Sequence, residues 1–418
     1  MRVLVVGINY TPEATGIAPY TAGLAEHLAA RGDDVTVVTG LPSYPHWRVY
    51  QGYRGLLGRR ESIGGVDVRR RWHHVPRRQS AARRGLYEAT FLATGLSALA
   101  LPRPHAILGV VPSLSGGMVA WLASRRFRAP YGLVFQDLLG PAAAQSGVAG
   151  GGAAVAAVRA AEGLVARDAE AVGVIAEGFR PYLEGLGVDP QRIRRVRNWT
   201  HVGAPTLDRA AVRDRLGLPQ EALVCLHAGN MGYKQGLANV VECARLAAPS
   251  HPELLFVLMG DGSQRARLEE LAADYVLANV RFLPLQPAEL FSSVLAAADV
   301  LLLNQLPTVT DMSLPGKLTS YFFSGRPVVA AVSADSETAG EVRASGAGLV
   351  VLPDDPCALL ETLLELAADH SRREAFGAAG AGYARRTLTA EQALAGLESL
   401  VDAIAARRAR AQAVAVSP

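Results

Sequence analysis

The 418-residue chain has almost no lysine. Of its 42 Lys and Arg residues, only Lys234 and Lys317 are lysines. The remainder are arginines, and alanine and glycine are abundant beside them, as in a genome that favours Arg codons. Such a bias converts interchangeable surface lysines to arginine. A lysine that persists is therefore a candidate for a task that a planar guanidinium cannot perform. Cysteine is scarce as well. Cys225, Cys243 and Cys357 are odd in number and widely spaced, which excludes a disulfide framework or a cysteine metal site and points to a reducing compartment.

Long apolar runs are also missing. The longest, Phe91–Leu101, stops before Pro102 and Pro104 and is too short to span a bilayer. The opening MRVLVVGI has no cleavage-site pattern, so no secretory leader is expected. Charge of one sign does not dominate. The formal net charge is +4, with 50% hydrophobic and 19% charged residues, the profile of a globular protein of two or three domains. The charge is uneven, however. Residues 1–185 carry 20 arginines against 13 acidic residues, while residues 186–418 carry 22 basic against 25 acidic. This predicts a local anionic partner for the first half. A nucleic-acid partner is not expected, because no aromatic platform for single strands is evident.

The apolar pattern is that of alternating strands and helices. Arg2–Ile8 reads as a buried strand, the loop NYTPEATGIA follows, and Pro19 opens a helix that ends at Gly32. Val35–Gly40 is the next strand. This order begins a doubly wound parallel sheet, in which ligands sit at the carboxyl ends of strands. Further strands are predicted at Val66–Arg70, His105–Val110, Tyr131–Phe135 and Ala171–Ile175, with helices at Leu86–Leu101, Gly116–Arg126 and Ala153–Asp168. The pattern restarts with a strand at Ala222–Gly229 and a helix at Gln235–Ala247. One long helix, Ala390–Ala411, closes the chain. The fold class is thus α/β, with two Rossmann-like doubly wound parallel-sheet domains facing across a cleft. The boundaries are 1–200 and 201–387, with residues 388–418 packing back onto the first domain. The first loop is not GxGxxG and no acidic residue ends the second strand, which argues against a common dinucleotide fold.

Five segments carry chemistry. HAGNMGYKQGL (His227–Leu237) places Lys234 where a strand meets a helix, and its loop amides suit a diphosphate. LPTVTDMSLPGKLTSYFFSGRPVVAAV (Leu306–Val332) carries Asp311, Ser313 and Lys317 after another strand, in a turn suited to sugar hydroxyls or phosphate. In NYTPEATGIAPY, Gly16 permits close backbone approach to a phosphate, and Glu13 and Tyr20 could meet a hydroxylated acceptor. In FQDLLG, Asp137 ends a strand, where it could orient or deprotonate an acceptor hydroxyl or cap a helix. The stretch Arg69–Gly85, with seven arginines, is either a solvated basic face or a dock for anionic lipid headgroups.

These motifs, with RVRNWTHV, VLMGDG, VRFLPLQP and GAGLVVLP, resemble those of the family-4 retaining glycosyltransferases of the GT-B fold, in particular the colanic-acid-type exopolysaccharide branch. The resemblance spans nearly the whole chain. It implies a nucleotide-diphosphate sugar as co-substrate, no cofactor, no obligatory metal, and a saccharide or polyprenyl-diphosphate-linked acceptor. The donor site would comprise Gly16, Gly229, Asn230, Gly232, Lys234, Asp261, Leu285, Asp311, Met312, Ser313, Leu314, Lys317 and Ser320. Glu13, Tyr20 and Asp137 would lie on the acceptor side, with Lys234 and Asp137 in catalytic roles. A cytoplasmic enzyme, peripheral at the inner face of the membrane through Arg69–Arg84, is expected. The chain departs from the family pattern at Met312 and Ser320, where two glutamates are usual, and at Asn230, where an arginine is usual. The two replaced glutamates keep open a non-catalytic subunit, and the shared fold keeps open a nucleotide-sugar 2-epimerase, although the cleft loops are poor in the carboxylates and histidines it would need.

Overall fold

The computed structural model describes residues 1–77, 80–141, 152–200, 202–309 and 316–416. The chain forms two compact units, Met1–Asn198 together with the helix from Ala390, and Trp199–Thr389.

The first unit is built on an eight-stranded sheet. Its strands are β1 (Arg2–Val6), β2 (Asp34–Gly40), β3 (Gly58–Ile63), β4 (Val66–Arg71), β5 (Ala106–Val111), β6 (Tyr131–Phe135), β7 (Ala171–Val174) and β8 (Ile193–Arg195), in the spatial order β3-β4-β2-β1-β5-β6-β7-β8. All neighbours are parallel except β3, which returns antiparallel to β4. β5, β6 and β7 are buried at every position, which explains their uninterrupted apolar sequences. The helices that matter for the site are α1 (Ala18–Ala30), α2 (Ala81–Gly95), α3 (Leu114–Phe127) and α4 (Gly152–Arg167). The final helix, α5 (Ala390–Val416), lies against α1 and strands β5 to β7. It buries Leu397, Leu400, Val401 and Ile404, each contributing roughly 1.5–3 kcal/mol. Glu398 meets His27 at 2.5 Å and Arg31 at 2.8 Å, which fixes its register on α1.

The second unit has six parallel strands, β9 (Leu223–Ala228), β10 (Leu254–Met259), β11 (Val280–Leu283), β12 (Val300–Asn304), β13 (Val328–Ala331) and β14 (Gly348–Val351), ordered β11-β10-β9-β12-β13-β14. Alternate side chains feed two cores, one on each face. Leu226, Val257 and Leu301 belong to one, and Cys225, Phe256 and Leu302 to the other.

Several predicted boundaries move. α2 starts at Ala81, because Ser80 caps it by accepting from Arg83 N, and it ends at Gly95 with a 3-10 turn beyond. α3 starts at Leu114, capped by Ser113. The helix expected from Gln235 starts at Ala238. Tyr233–Gln235 is a single 3-10 turn, broken where Gly236 adopts φ +53°. β3 was not expected at all, since GRRESI is an exposed, polar edge strand.

Candidate functional site

In both sheets the chain reverses direction of growth at one point, beside β1 and β5 in the first and beside β9 and β12 in the second. Loops at such a switch diverge and leave a crevice at the strands' carboxyl ends. In the second unit this divergence is measurable. β9 and β12 pair only at Val300 with Cys225 and at Leu301 with Leu226. Beyond that, Tyr321 fills the split. Its buried phenol oxygen accepts from Ala228 N at 2.9 Å and lies 3.4 Å from the carbonyls of Ala228 and Leu302. Burial raises its pKa, so it stays a neutral donor and acceptor.

The loop after β9 carries four of the expected donor residues, Gly229, Asn230, Gly232 and Lys234. Gly229 N donates to Met259 O and Met231 N donates to Asp261 O, both at 2.8 Å, which locks this loop to the one after β10. The approach is close. Gly260 has φ +142°, and a Cβ there would fall 1.9 Å from Gly229 O. Asn230 is exposed, and its side chain lies between Gly232 and Gly262. Asp261 is exposed and accepts from Gly262 N. Arg265 bonds the carbonyls of Gly260 and Leu283, tying the ends of β10 and β11 together beside Leu285, which is 54% exposed.

Lys234 lies in the 3-10 turn, half-buried, rather than at the first turn of an α-helix. Its carbonyl accepts from Leu306 N at 2.9 Å, which joins the loops leaving β9 and β12. Lys317 opens the short helix Lys317–Phe323 and folds back over the β9 loop. A methyl group on Gly229 would lie 3.6 Å from Lys317 Nζ. The ammonium is 3.4 Å from Nε2 of the fully buried His227. Among the described residues no carboxylate pairs with either lysine. Burial pushes Lys317 down to about 7. Burial and the Lys317 charge hold His227 well below the usual imidazole range, so it is neutral. Asn304 and Gln305, at the end of β12, each keep a buried side-chain carbonyl without a partner among the described residues. Ser320 Oγ is 3.4 Å from Thr200 Oγ1. Asp311, Met312, Ser313 and Leu314 lie outside the described residues. Reading the sequence did not single out His227, Tyr321, Asn304 or Gln305.

The first unit gathers a second set at its own carboxyl edge. Gly16 has φ +70°, and a Cβ there would lie 3.0 Å from the Tyr44 ring. Tyr44 feels the charges of Asp137, Glu13 and Arg84, and burial raises its pKa. Asp137 is half-buried at the end of β6. Burial also raises Tyr20, to about 12. Glu13 requires a correction. It is 2% exposed, and both carboxyl oxygens are used inside the fold, Oε1 by Ser43 N (2.6 Å) and Tyr44 N (2.8 Å), Oε2 by Asn9 Nδ2 (2.9 Å). It latches the loop after β1 to the loop after β2 and shapes the site without facing outward. A comparable latch, Glu162 on α4, accepts from Leu139 N, Gly140 N and the Tyr182 hydroxyl just beyond Asp137.

The stretch Arg69–Arg84 is likewise not one basic surface. Arg70 is fully buried and bonds Glu61 on β3 and the Thr11 carbonyl. Arg69 pairs with Asp67, and Arg71 donates to Ser97. His73 is buried and held down to about 4 by lost hydration. The Arg84 guanidinium lies over the rings of Trp47 and Tyr87. Arg77 and Arg83 are exposed, while Arg78 lies outside the described residues. No described helix is long and apolar enough to cross a membrane. Among the described residues no group of three or more His, Cys, Asp or Glu side chains has a metal-holding arrangement.

Comparison with known proteins places this geometry. Residues 15–199 match the glycosyl transferase 4-like domain, and residues 208–382 match the glycosyl transferases group 1 domain. The chain is 33% identical, over 81% of its length and 84% of the relative's, to the putative colanic acid biosynthesis glycosyl transferase WcaI of Escherichia coli K12. Among solved structures, sucrose-phosphate synthase from Thermosynechococcus elongatus superposes over the full length of both chains with a TM-score of 0.74 at 18% identity. HepE from Anabaena, in complex with UDP-glucose, covers 96% of this chain and 99% of its own, with a TM-score of 0.67 at 16% identity.

Proposed function

Because the chain belongs to the family-4 type of GT-B glycosyltransferases, we propose that it moves a sugar from a nucleotide-diphosphate donor held at the carboxyl edge of the second sheet. The acceptor is a saccharide or a polyprenyl-diphosphate-linked saccharide held by the first unit, in polysaccharide or glycoconjugate synthesis. The observation that carries this reading is the pair of lysines. The chain's two lysines lie in the turn after β9 and at the start of the helix that follows β12, at the switch point, and no described carboxylate neutralises them. A compact dianion is the natural partner of such a place. The UDP-glucose held by the Anabaena relative supports a uridine donor as the first candidate.

In this reading the bond from the anomeric carbon to the diphosphate oxygen breaks as the acceptor oxygen attacks the same face. The acceptor's proton passes to the departing phosphate or to Asp137. Lys234, Lys317 and the loop amides stabilise the charge that grows on the leaving group, each such group being worth about 2.7–4 kcal/mol. The configuration is retained, and no metal is required for this charge stabilisation. Incubation with UDP-glucose, GDP-mannose and other nucleotide sugars, with lipid-linked acceptors, tests it. NMR of the product should show the donor's anomeric configuration. Epimerised nucleotide sugar formed without acceptor would favour the epimerase instead, and binding without transfer or hydrolysis a non-catalytic subunit.

Peripheral association with an anionic membrane is part of the proposal on a smaller footing than the sequence suggested. It rests on Arg77 and Arg83 with the exposed Leu57, Trp72 and Leu86 nearby in the chain. Sedimentation with phosphatidylglycerol vesicles, released by salt and lost in Arg77→Gln/Arg83→Gln, checks it.

A further inference from the structure

Arg84 differs from Arg69, Arg70 and Arg71 in its stretch. Arg69 and Arg70 have carboxylate partners and Arg71 a hydroxyl partner. The guanidinium of Arg84 is instead 5.0 Å from the ring centroids of both Trp47 and Tyr87. Its neighbour one turn along α2, Glu88, turns away to Ser113 and Ser115 at the start of α3. No described carboxylate reaches ion-pair distance of Arg84.

The aromatic seat is built with care. Trp47 and Tyr87 meet edge-on at 5.7 Å, Tyr44 meets Trp47 at 6.0 Å, and His73 supports Tyr87 at 5.1 Å. Trp47 holds φ +50°, a left-handed conformation that a bulky residue adopts only when its surroundings impose it. An aromatic ring attracts a guanidinium without using its N–H donors, which are left to bind. Those donors match the oxygens of a phosphate or carboxylate two at a time. The same cluster reaches Tyr44, which feels Arg84 together with Asp137 and stands against Gly16. A cation seated on two rings, with no carboxylate partner among the described residues, thus belongs to the edge of the first sheet where the acceptor was placed above.

We propose that Arg84, seated on Trp47 and Tyr87, reads an oxyanion on the acceptor, so that the acceptor carries a phosphate close to the sugar that is extended. The inference rests on the reading that the first unit holds the acceptor. The phosphate can belong to a lipid-linked sugar diphosphate or to a soluble sugar phosphate.

Labelling the full chain with 5-fluorotryptophan makes the seat observable, and the Trp47 resonance is assigned with Trp47→Phe. Geranyl diphosphate is compared with geraniol, and glucose 1-phosphate with methyl α-glucoside. The proposal expects a saturable shift of the Trp47 resonance with at least one phosphate-bearing probe and none with the neutral ones. Arg84→Gln should weaken that response about 10-fold or more, and Arg84→Lys should restore part of it. Response to geranyl diphosphate alone identifies a lipid-linked acceptor, and response to glucose 1-phosphate a soluble one. The proposal is overturned if the neutral probes act equally, if neither phosphate acts, or if Arg84→Gln leaves the response intact at an unchanged melting temperature. Thermal stabilisation by UDP or GDP in the same samples reports on the donor site alone, so failure of the donor reading is seen separately.

Discussion

Replacing Lys317 by methionine should make the protein more stable and unable to hold a donor. The ammonium is placed over Gly229 beside a neutral, buried histidine, without a carboxylate among the described residues. Its pKa falls from 10.5 to about 7. At about 1.4 kcal/mol per pH unit, the charged form has lost up to roughly 5 kcal/mol of hydration. Partial exposure and solvent screening reduce what a variant recovers to about 2–4 kcal/mol. For a unit of this size that is roughly 5–10 °C in melting temperature. The sign with pH follows from proton counting. Between about pH 7 and 10.5 the unfolded chain holds a proton on Lys317 that the folded chain has released, so wild-type stability rises with pH across that window. The advantage of Lys317→Met is therefore full below pH 7 and fades towards pH 10.5. Urea titrations at pH 6, 7.5 and 9 measure it directly. A variant that unfolds at the same or lower urea than wild type at pH 6, or an advantage that does not shrink with pH, would refute the account of Lys317 as a buried charge kept for a ligand. The same variant should lose nucleoside diphosphate binding, an exchange of function for stability seen at preorganised sites.

Three further outcomes are expected. Lys234→Ala should lower kcat/KM by roughly 10²–10³ while the melting temperature stays within about 2 °C, because the side chain serves the leaving group and the loop is held by backbone bonds. Tyr321→Phe should cost about 1–3 kcal/mol in urea unfolding, since Ala228 N is left unpaired in the split between β9 and β12. It should raise KM for the donor as that crevice loosens. Gly260→Ala should be poorly folded or destabilised by more than about 3 kcal/mol, as its methyl group would collide with Gly229 O; calorimetry of the purified variant measures it.

The two-unit α/β plan was legible because parallel strands buried on both faces leave unbroken apolar runs such as Leu254–Met259. Lys234 and Lys317 draw attention through composition, as two survivors in an arginine-rich chain, and through the motifs that surround them. What the sequence hid depends on tertiary partners. Arg70 looks like surface charge until β3 brings Glu61 across the hairpin, and β3 itself is too polar to announce a strand. Glu13 looks like a reaching carboxylate until the loop after β2 supplies two amides. The start of the helix after β9 was misplaced because Gly236 breaks the 3-10 turn from the α-helix, a left-handed step that glycine permits without advertising. Tyr321 and His227 have no motif of their own; their importance comes from the splaying of β9 from β12.

The central claim is that a nucleoside diphosphate is held at the carboxyl edge of the second sheet, by the segments leaving β9 and β12 and the β10 loop locked to them. Hydrogen exchange on the full chain, with and without saturating UDP or GDP, tests it most directly. The account predicts protection in peptides covering Gly229–Leu237 and Gly260–Gln264, abolished in the Lys234→Ala/Lys317→Met double variant. Protection confined to the first unit, or none with any nucleoside diphosphate, would contradict it.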